Sequence, residues 1–338
     1  MFENMNESVF RDKISGCWLG KGIGGTLGMP YEGYPHPLAL SAEDLSPIQV
    51  PNDDLELQLL WIFLLEKHGS TLRADTFISA WNDHFDCNPD EYGIARWNIQ
   101  RGLKPPLTGL HNNWFTDGMG AAIRSEIWAC LFPGQPDLAS AFAHEDAIVD
   151  HHNNGVFAEM FLAAAESSAF FCDDPIEAIE TGLNYIPEDS KVSQSVRYAL
   201  QLYAKGVPLK NTRPLIMERF GSHNFTDVNM NLAFITLGLA YGSGDFEKTV
   251  LTAVNYGMDT DCTGATTAAF MGILMGDKGI PALWKEAAGN ELIVSDFLKD
   301  LPLPATVDDA ANRTLALSIR LNSELAGKVP VDMTPDIN

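Results

Sequence analysis

Pro51-Asn52-Asp53-Asp54 opens one apolar helical run, and Gly257-Met258-Asp259-Thr260-Asp261-Cys262-Thr263-Gly264-Ala265 opens another, far along the chain. Each stretch brings two aspartates to a helix entrance. After Asp53, residues Leu55, Leu59, Ile62, Phe63 and Leu65 fall near one face at helical spacing. Phe157, Met160, Phe161, Ala164 and Ala165 do the same, as do Val192, Val196, Leu200 and Tyr203. Leu232, Ile235, Leu239 and Ala240 follow, and Leu315, Ile319 and Leu321 end the series. Alternating β-branched runs are nearly absent, so the pattern predicts an all-α chain of roughly a dozen or more helices with short loops. Breaks fall at Pro30 to Pro37, Lys104 to Gly109, Phe132 to Pro136, Pro187, Gly206 to Pro208 and Gly242 to Gly244.

The composition is that of an ordinary globular protein: 338 residues, 46% hydrophobic and 20% charged, enough for a sizeable core. No Pro-, Ser- or charge-rich linker divides it, and no fixed-period repeat is visible. If the two aspartate stretches meet, the chain closes on itself, which favours one domain over residues 1–338. A net charge of −23 repels phosphate backbones and anionic membranes, so neither nucleic acid nor membrane is an expected partner. The cysteines, Cys17, Cys87, Cys130, Cys172 and Cys262, are odd in number and lack CxxC spacing. With no basic and apolar leader after Met1, they favour reduced thiols and a cytoplasmic location. The sequence leaves the oligomeric state open.

Taken alone, Asp53 has a plain structural reading. With Glu56 it has the spacing of a capping box, and acids in a first turn complement the helix dipole. Two acidic pairs facing one another are harder to explain by capping. Like charges that close cannot all stay ionised without a cation, and all-oxygen clusters suit hard ions such as Mg2+, Mn2+ or Ca2+. The pair of motifs therefore points to a metal site and a metal-dependent hydrolase. Cys262 reads either as a soft ligand, which would pull the site towards zinc, or as a small residue of core or pocket wall. No other Cys or His stands at ligand spacing, which favours the second reading. His151-His152, ahead of Asn153-Asn154-Gly155, is weak evidence alone.

Gly16, Gly20, Gly24, Gly25 and Gly28 imitate a dinucleotide loop, but no strand precedes them. At helical spacing they allow close helix packing or open a ligand cavity. Trp114-Phe115-Thr116-Asp117-Gly118-Met119-Gly120 suggests a flexible loop whose exposed amides could cradle phosphate or sugar, or else an ordinary turn.

These segments together resemble the ADP-ribosylglycohydrolases, typified by the dinitrogenase reductase-activating glycohydrolase. The matching stretches are Gly16-Cys17-Trp18-Leu19-Gly20 through Gly28-Met29-Pro30-Tyr31-Glu32, then Asn52-Asp53-Asp54. Asp117-Gly118 through Arg124 follows, with Phe132-Pro133-Gly134, His151 through Gly155, and Gly257-Met258-Asp259-Thr260-Asp261. They run from about residue 10 to about residue 276, leaving helices at 280–326 to pack on that core. The resemblance implies a compact orthogonal helical bundle with two Mg2+ or Mn2+ ions in a cleft. It implies Asn52, Asp53, Asp54, Asp259 and Asp261 as metal-site residues, and Glu32, Asp54 and Asp261 as catalytic residues. Asp117, Gly118, Met119, Gly120 and His151 would line the pocket for a ribose and its phosphates. The implied reaction is hydrolysis of an N- or O-glycosidic bond at ribose C1, on an ADP-ribosylated protein or an ADP-ribose derivative, through an oxocarbenium-like state. A nucleosidase-like hydrolase of a small ribosylated metabolite and a non-catalytic binding member are the alternatives. Asn52 stands where Thr usually opens the first motif, and Cys262 where Thr or Ser often closes the second. That variant pattern resembles a divergent bacterial branch of the family.

Overall fold

A computed structural model describes residues 6–48, 50–84, 90–296, 298 and 300–326. Cys87 lies outside them. Among the described residues there are sixteen α-helices joined by short 3-10 turns. The only β pairing described is two isolated bridges, Tyr34 with Met258 and Glu291 with Thr306. The all-α expectation therefore holds. No helix among the described residues is long and apolar enough to cross a membrane.

The axis of the fold is the pairing of the Glu7–Gly28 helix (α1) with the Thr260–Met275 helix. Gly16, Gly20, Gly24 and Gly28 recur every four residues and so fall near one face of α1. A Cβ on any of them would overlap the backbone carbonyl of Gly272, Ala268, Gly264 or Thr260, respectively. The two helices run antiparallel with their backbones in contact, and the glycines serve packing rather than a cavity. This contact ties the end of α1 to the entrance that carries Asp259 and Asp261. The Val307–Leu325 helix packs on α1 and on the Ser125–Leu131 helix.

The Asp53–His68 helix departs from the expected one-sided pattern, because every residue from Asp54 to Leu65 is buried. Helices lie on several sides of it, so a run apolar nearly all round is what the site demands. The expected capping box is not formed. Asn52 is the cap, its Oδ1 accepting the Asp54 amide at 2.8 Å. Glu56 instead accepts from the amide and hydroxyl of Ser295, at 2.7 and 2.8 Å. The expected face ending in Ile319 is also incomplete, since that side chain is exposed while Leu315 and Leu321 are buried.

Candidate metal centre

Three chain segments converge at the lower end of α1. Directly after α1, the turn through Glu32 is tied to the second aspartate stretch: Gly33 N–H donates to the Met258 carbonyl, and Met258 N–H to the Tyr34 carbonyl, both at 2.8 Å. Gly257 and Met258 both take positive φ, 74° and 70°, which turns the chain sharply into the helix headed by Asp259. The left-handed conformation is unusual for methionine, and the bridge to Tyr34 holds it. The third segment enters at Gly25, whose missing side chain leaves room for the Asn52 amide. Helix packing, capping and one bridge thus bring the Asn52-Asp53-Asp54 and Asp259-Thr260-Asp261 motifs together.

The resulting side chains form two overlapping groups. Single ligand atoms of Asp54, Asp261 and Cys262 all lie within 4.8 Å of one another, as do those of Glu32, Asp259 and Asp261. Asp261 belongs to both. Divalent cations bind oxygen at about 2.0–2.6 Å, so ligands on opposite sides of one ion stand about 4–5 Å apart. The spans match that requirement. Asp54 and Asp259 are fully buried and Asp261 almost so, yet both carboxylate oxygens of Asp54 and Asp259, and Oδ1 of Asp261, have no hydrogen-bond partner. Burial, with the neighbouring carboxylates adding to it, pushes Asp54, Asp259 and Asp261 well above the usual carboxyl range. Buried, clustered carboxylate oxygens without hydrogen-bond partners fit a divalent cation.

Asp53 stands apart from these groups: it is exposed and belongs to neither, although its charge reaches Glu32, Asp54 and Asp261. Asn52 has already used one lone pair of Oδ1 on its cap. Glu32 is exposed at the rim; burial of part of its carboxyl, then Asp53 and Asp90, raise it above its ordinary value. The Cys262 sulfur reaches the Asp54–Asp261 group while the residue also packs against the apolar core, so the pocket-wall reading omits half of its surroundings.

Behind Asp54 stands a residue that pattern reading missed. Lys21, buried in α1, places Nζ 2.7 Å from Glu126 Oε1 and 3.6 Å from Asp54 Oδ1. Although burial opposes it, Glu126 and then Asp54 raise the Lys21 pKa. Gln58 Nε2 donates to Glu126 Oε2 at 2.8 Å and to the Asp54 carbonyl at 3.0 Å. A lysine among the glycines and apolar residues of the Gly16–Gly28 stretch was the available signal.

The segment expected to offer exposed amides does not do so. Gly118, Met119 and Gly120 are buried, and Cβ atoms at the two glycines would crowd the Glu91 carboxylate. Their small size makes room for Glu91 and Tyr92. Asp117 is partly buried, its Oδ2 accepting from Asn154 at 3.2 Å and Asn229 at 3.3 Å. His151 is fully buried. Its Nδ1 lies 3.1 Å from Asp150 Oδ1 and its Nε2 lies 3.4 Å from Glu91 Oε1. Arg124 holds Asp150 from the far side, at 2.9 and 3.0 Å, and Asp146 at 3.1 Å. Against burial, which favours the neutral ring, Asp150 and then Glu91 raise His151 to about 9. The charged network draws the ring inward, and nothing in the sequence marked Glu91 as its partner.

The ADP-ribosylglycohydrolase family model matches residues 6–318 of the chain. An uncharacterized protein of Archaeoglobus fulgidus is 24% identical over 326 residues, covering 86% of this chain and 94% of its own length. A solved structure described as an ADP-ribosylglycohydrolase-related protein complex superposes with a TM-score of 0.65 at 19% identity. It spans 93% of this chain and 99% of that one, a likeness of fold.

Proposed function

Because the chain belongs to the ADP-ribosylglycohydrolase family, we propose that it is a metal-dependent hydrolase that cleaves the bond at ribose C1 of an ADP-ribosylated protein or ADP-ribose derivative. The observation that carries this reading is the buried set of unpartnered carboxylate oxygens on Asp54, Asp259 and Asp261, gathered with Glu32 from separate segments. Two cations would be held by the two groups, Glu32–Asp259–Asp261 and Asp54–Asp261–Cys262, which share Asp261. Bound Mg2+ or Mn2+ supplies positive charge that polarises ribose hydroxyls and acidifies water. The protein's own groups do the rest. Asp54, Asp259 and Asp261 orient the charge of the site. Glu32, at the exposed rim with a raised pKa, can hold the proton that the leaving group takes as the C1 bond breaks. Asp53, also at the exposed rim and with its pKa raised by burial, would when ionised stabilise an oxocarbenium-like ribose. Asp117 and the Gly118–Gly120 segment, stiffened from behind by Glu91 and His151, form the wall of the substrate side. We read residues 1–338 as one domain, since one large apolar cluster holds residues from Phe10 to Leu321, with a second, smaller cluster that includes Met230 and Phe234.

The test is a substrate panel of ADP-ribosyl-arginine, ADP-ribosyl-serine, O-acetyl-ADP-ribose and free nucleosides, assayed with Mg2+ or Mn2+ and with chelator. Turnover of an ADP-ribosyl compound that disappears with chelator and in Asp261→Asn is the expected result. Full activity under chelation or in Asp261→Asn would sink the mechanism. Turnover of nucleosides alone would move the substrate class, and no metal binding at all would leave a binding protein.

A further inference from the structure

The two halves of the acidic cluster are not chemically alike. Glu32, Asp259 and Asp261 offer only oxygen, whereas Asp54 and Asp261 share their group with the Cys262 sulfur. We infer that the Asp54–Asp261–Cys262 group takes a thiophilic divalent cation of the Zn2+, Co2+ or Cd2+ type through sulfur, while the all-oxygen group takes a hard ion. This rests on the proposed metal centre and specifies which ions it selects.

Donor chemistry carries the argument. Thiolate favours borderline and soft ions, and carboxylates alone favour Mg2+, Ca2+ or Mn2+. A metal–thiolate bond is about 2.3 Å and a metal–carboxylate bond about 2.0–2.2 Å for zinc, which suits ligand atoms that all lie within 4.8 Å of one another. The cysteine does not stand alone. Both oxygens of Asp54 and Oδ1 of Asp261 are buried and without a hydrogen-bond partner, and one carboxylate oxygen of each residue lies within 4.8 Å of the sulfur. Lys21 supplies a fixed positive charge 3.6 Å from Asp54 Oδ1. That charge offsets part of the negative charge that the two carboxylates bring to this half. On binding, the Cys262 sulfur forms the metal bond and the thiol proton leaves to solvent. Cys17 and Cys130 are buried elsewhere, and the described Cys172 is not in either group.

The experiment uses the full chain, stripped by chelator and titrated with Co2+ and with Cd2+, beside Cys262→Ser and Cys262→Ala. Sulfur-to-metal charge-transfer absorption in the ultraviolet reads the bond directly, without activity. The expected result is a charge-transfer band in the parent protein that is absent from both variants. Cd2+ affinity should fall at least tenfold in both, and Mn2+ affinity of Cys262→Ser should stay within about threefold of the parent. Circular dichroism and a thermal melt confirm that each variant is folded. Should Cys262→Ala unfold, Cys262→Ser alone decides. Co2+ binding with no charge-transfer band, or a band that survives in Cys262→Ser, overturns the inference while leaving the metal centre intact. If the parent protein binds no divalent ion at all, the inference and the proposed function fall together.

Discussion

Replacing Gly264 with alanine tests how the site is built. Gly264 lies one turn beyond Asp261 and faces α1, and a Cβ there would stand 2.5 Å from the Gly24 carbonyl oxygen. That is about 0.9 Å short of ordinary contact at 3.4 Å, and the atom in the way is backbone, which cannot swing aside. The helices must separate by a similar amount at that point. Overpacking of this kind costs about 1–3 kcal/mol, offset by about 1 kcal/mol of better helix propensity in alanine. The net loss in urea unfolding should be about 0–2 kcal/mol. The larger effect is on geometry. A shift near 0.9 Å compares with a coordination bond of about 2.1 Å, so Mn2+ affinity by titration calorimetry should fall at least tenfold, about 1.4 kcal/mol. Gly22→Ala is the control on the same helix. Its new methyl meets only the end of the Ile48 side chain, at 2.8 Å, which can rotate. It should be neutral or slightly stabilising with unchanged metal affinity. Gly264→Ala matching Gly22→Ala in both stability and Mn2+ affinity would refute the claim that backbone contact positions Asp259 and Asp261.

Two further outcomes follow from the charged interior. Lys21→Met leaves Glu126 and Asp54 without their buried counter-charge and should cost about 3 kcal/mol in the chelated protein. Added Mn2+ should recover more stability in this variant than in the parent by differential scanning calorimetry, and equal melting temperatures in chelator would refute the pairing. His151, raised from an ordinary 6.5 to about 9 by its carboxylates, contributes stability that is fully present below about pH 6.5 and lost as pH rises through about 9. The shift corresponds to about 3 kcal/mol. The stability gap between the parent and His151→Gln, read by urea unfolding, should therefore narrow by about that amount between pH 6 and pH 10. A gap independent of pH would mean that the ring is neutral throughout.

The all-α class was legible because helical periodicity is local: each run of apolar residues carries its own spacing whatever it packs against. The two aspartate entrances were legible for the same reason, as was the glycine spacing of α1, although only as a choice between packing and cavity. The structure made that choice through the facing backbone of Gly264, Ala268 and Gly272. It also separated Asp53 from the closest ligand groups and added Glu32 and Cys262 to them. Glu91, on another helix, backs His151 and Gly118–Gly120, and nothing local in the sequence shows it. The pairing of Lys21 with Asp54 was not legible either, since a buried charge is defined by partners that lie far away in sequence. The sequence by itself thus determined helices, entrances and an acidic inventory. Which carboxylates, sulfur and ammonium share one volume of low dielectric was decided only by the tertiary structure, because electrostatic coupling depends on distance through space and on the exclusion of water.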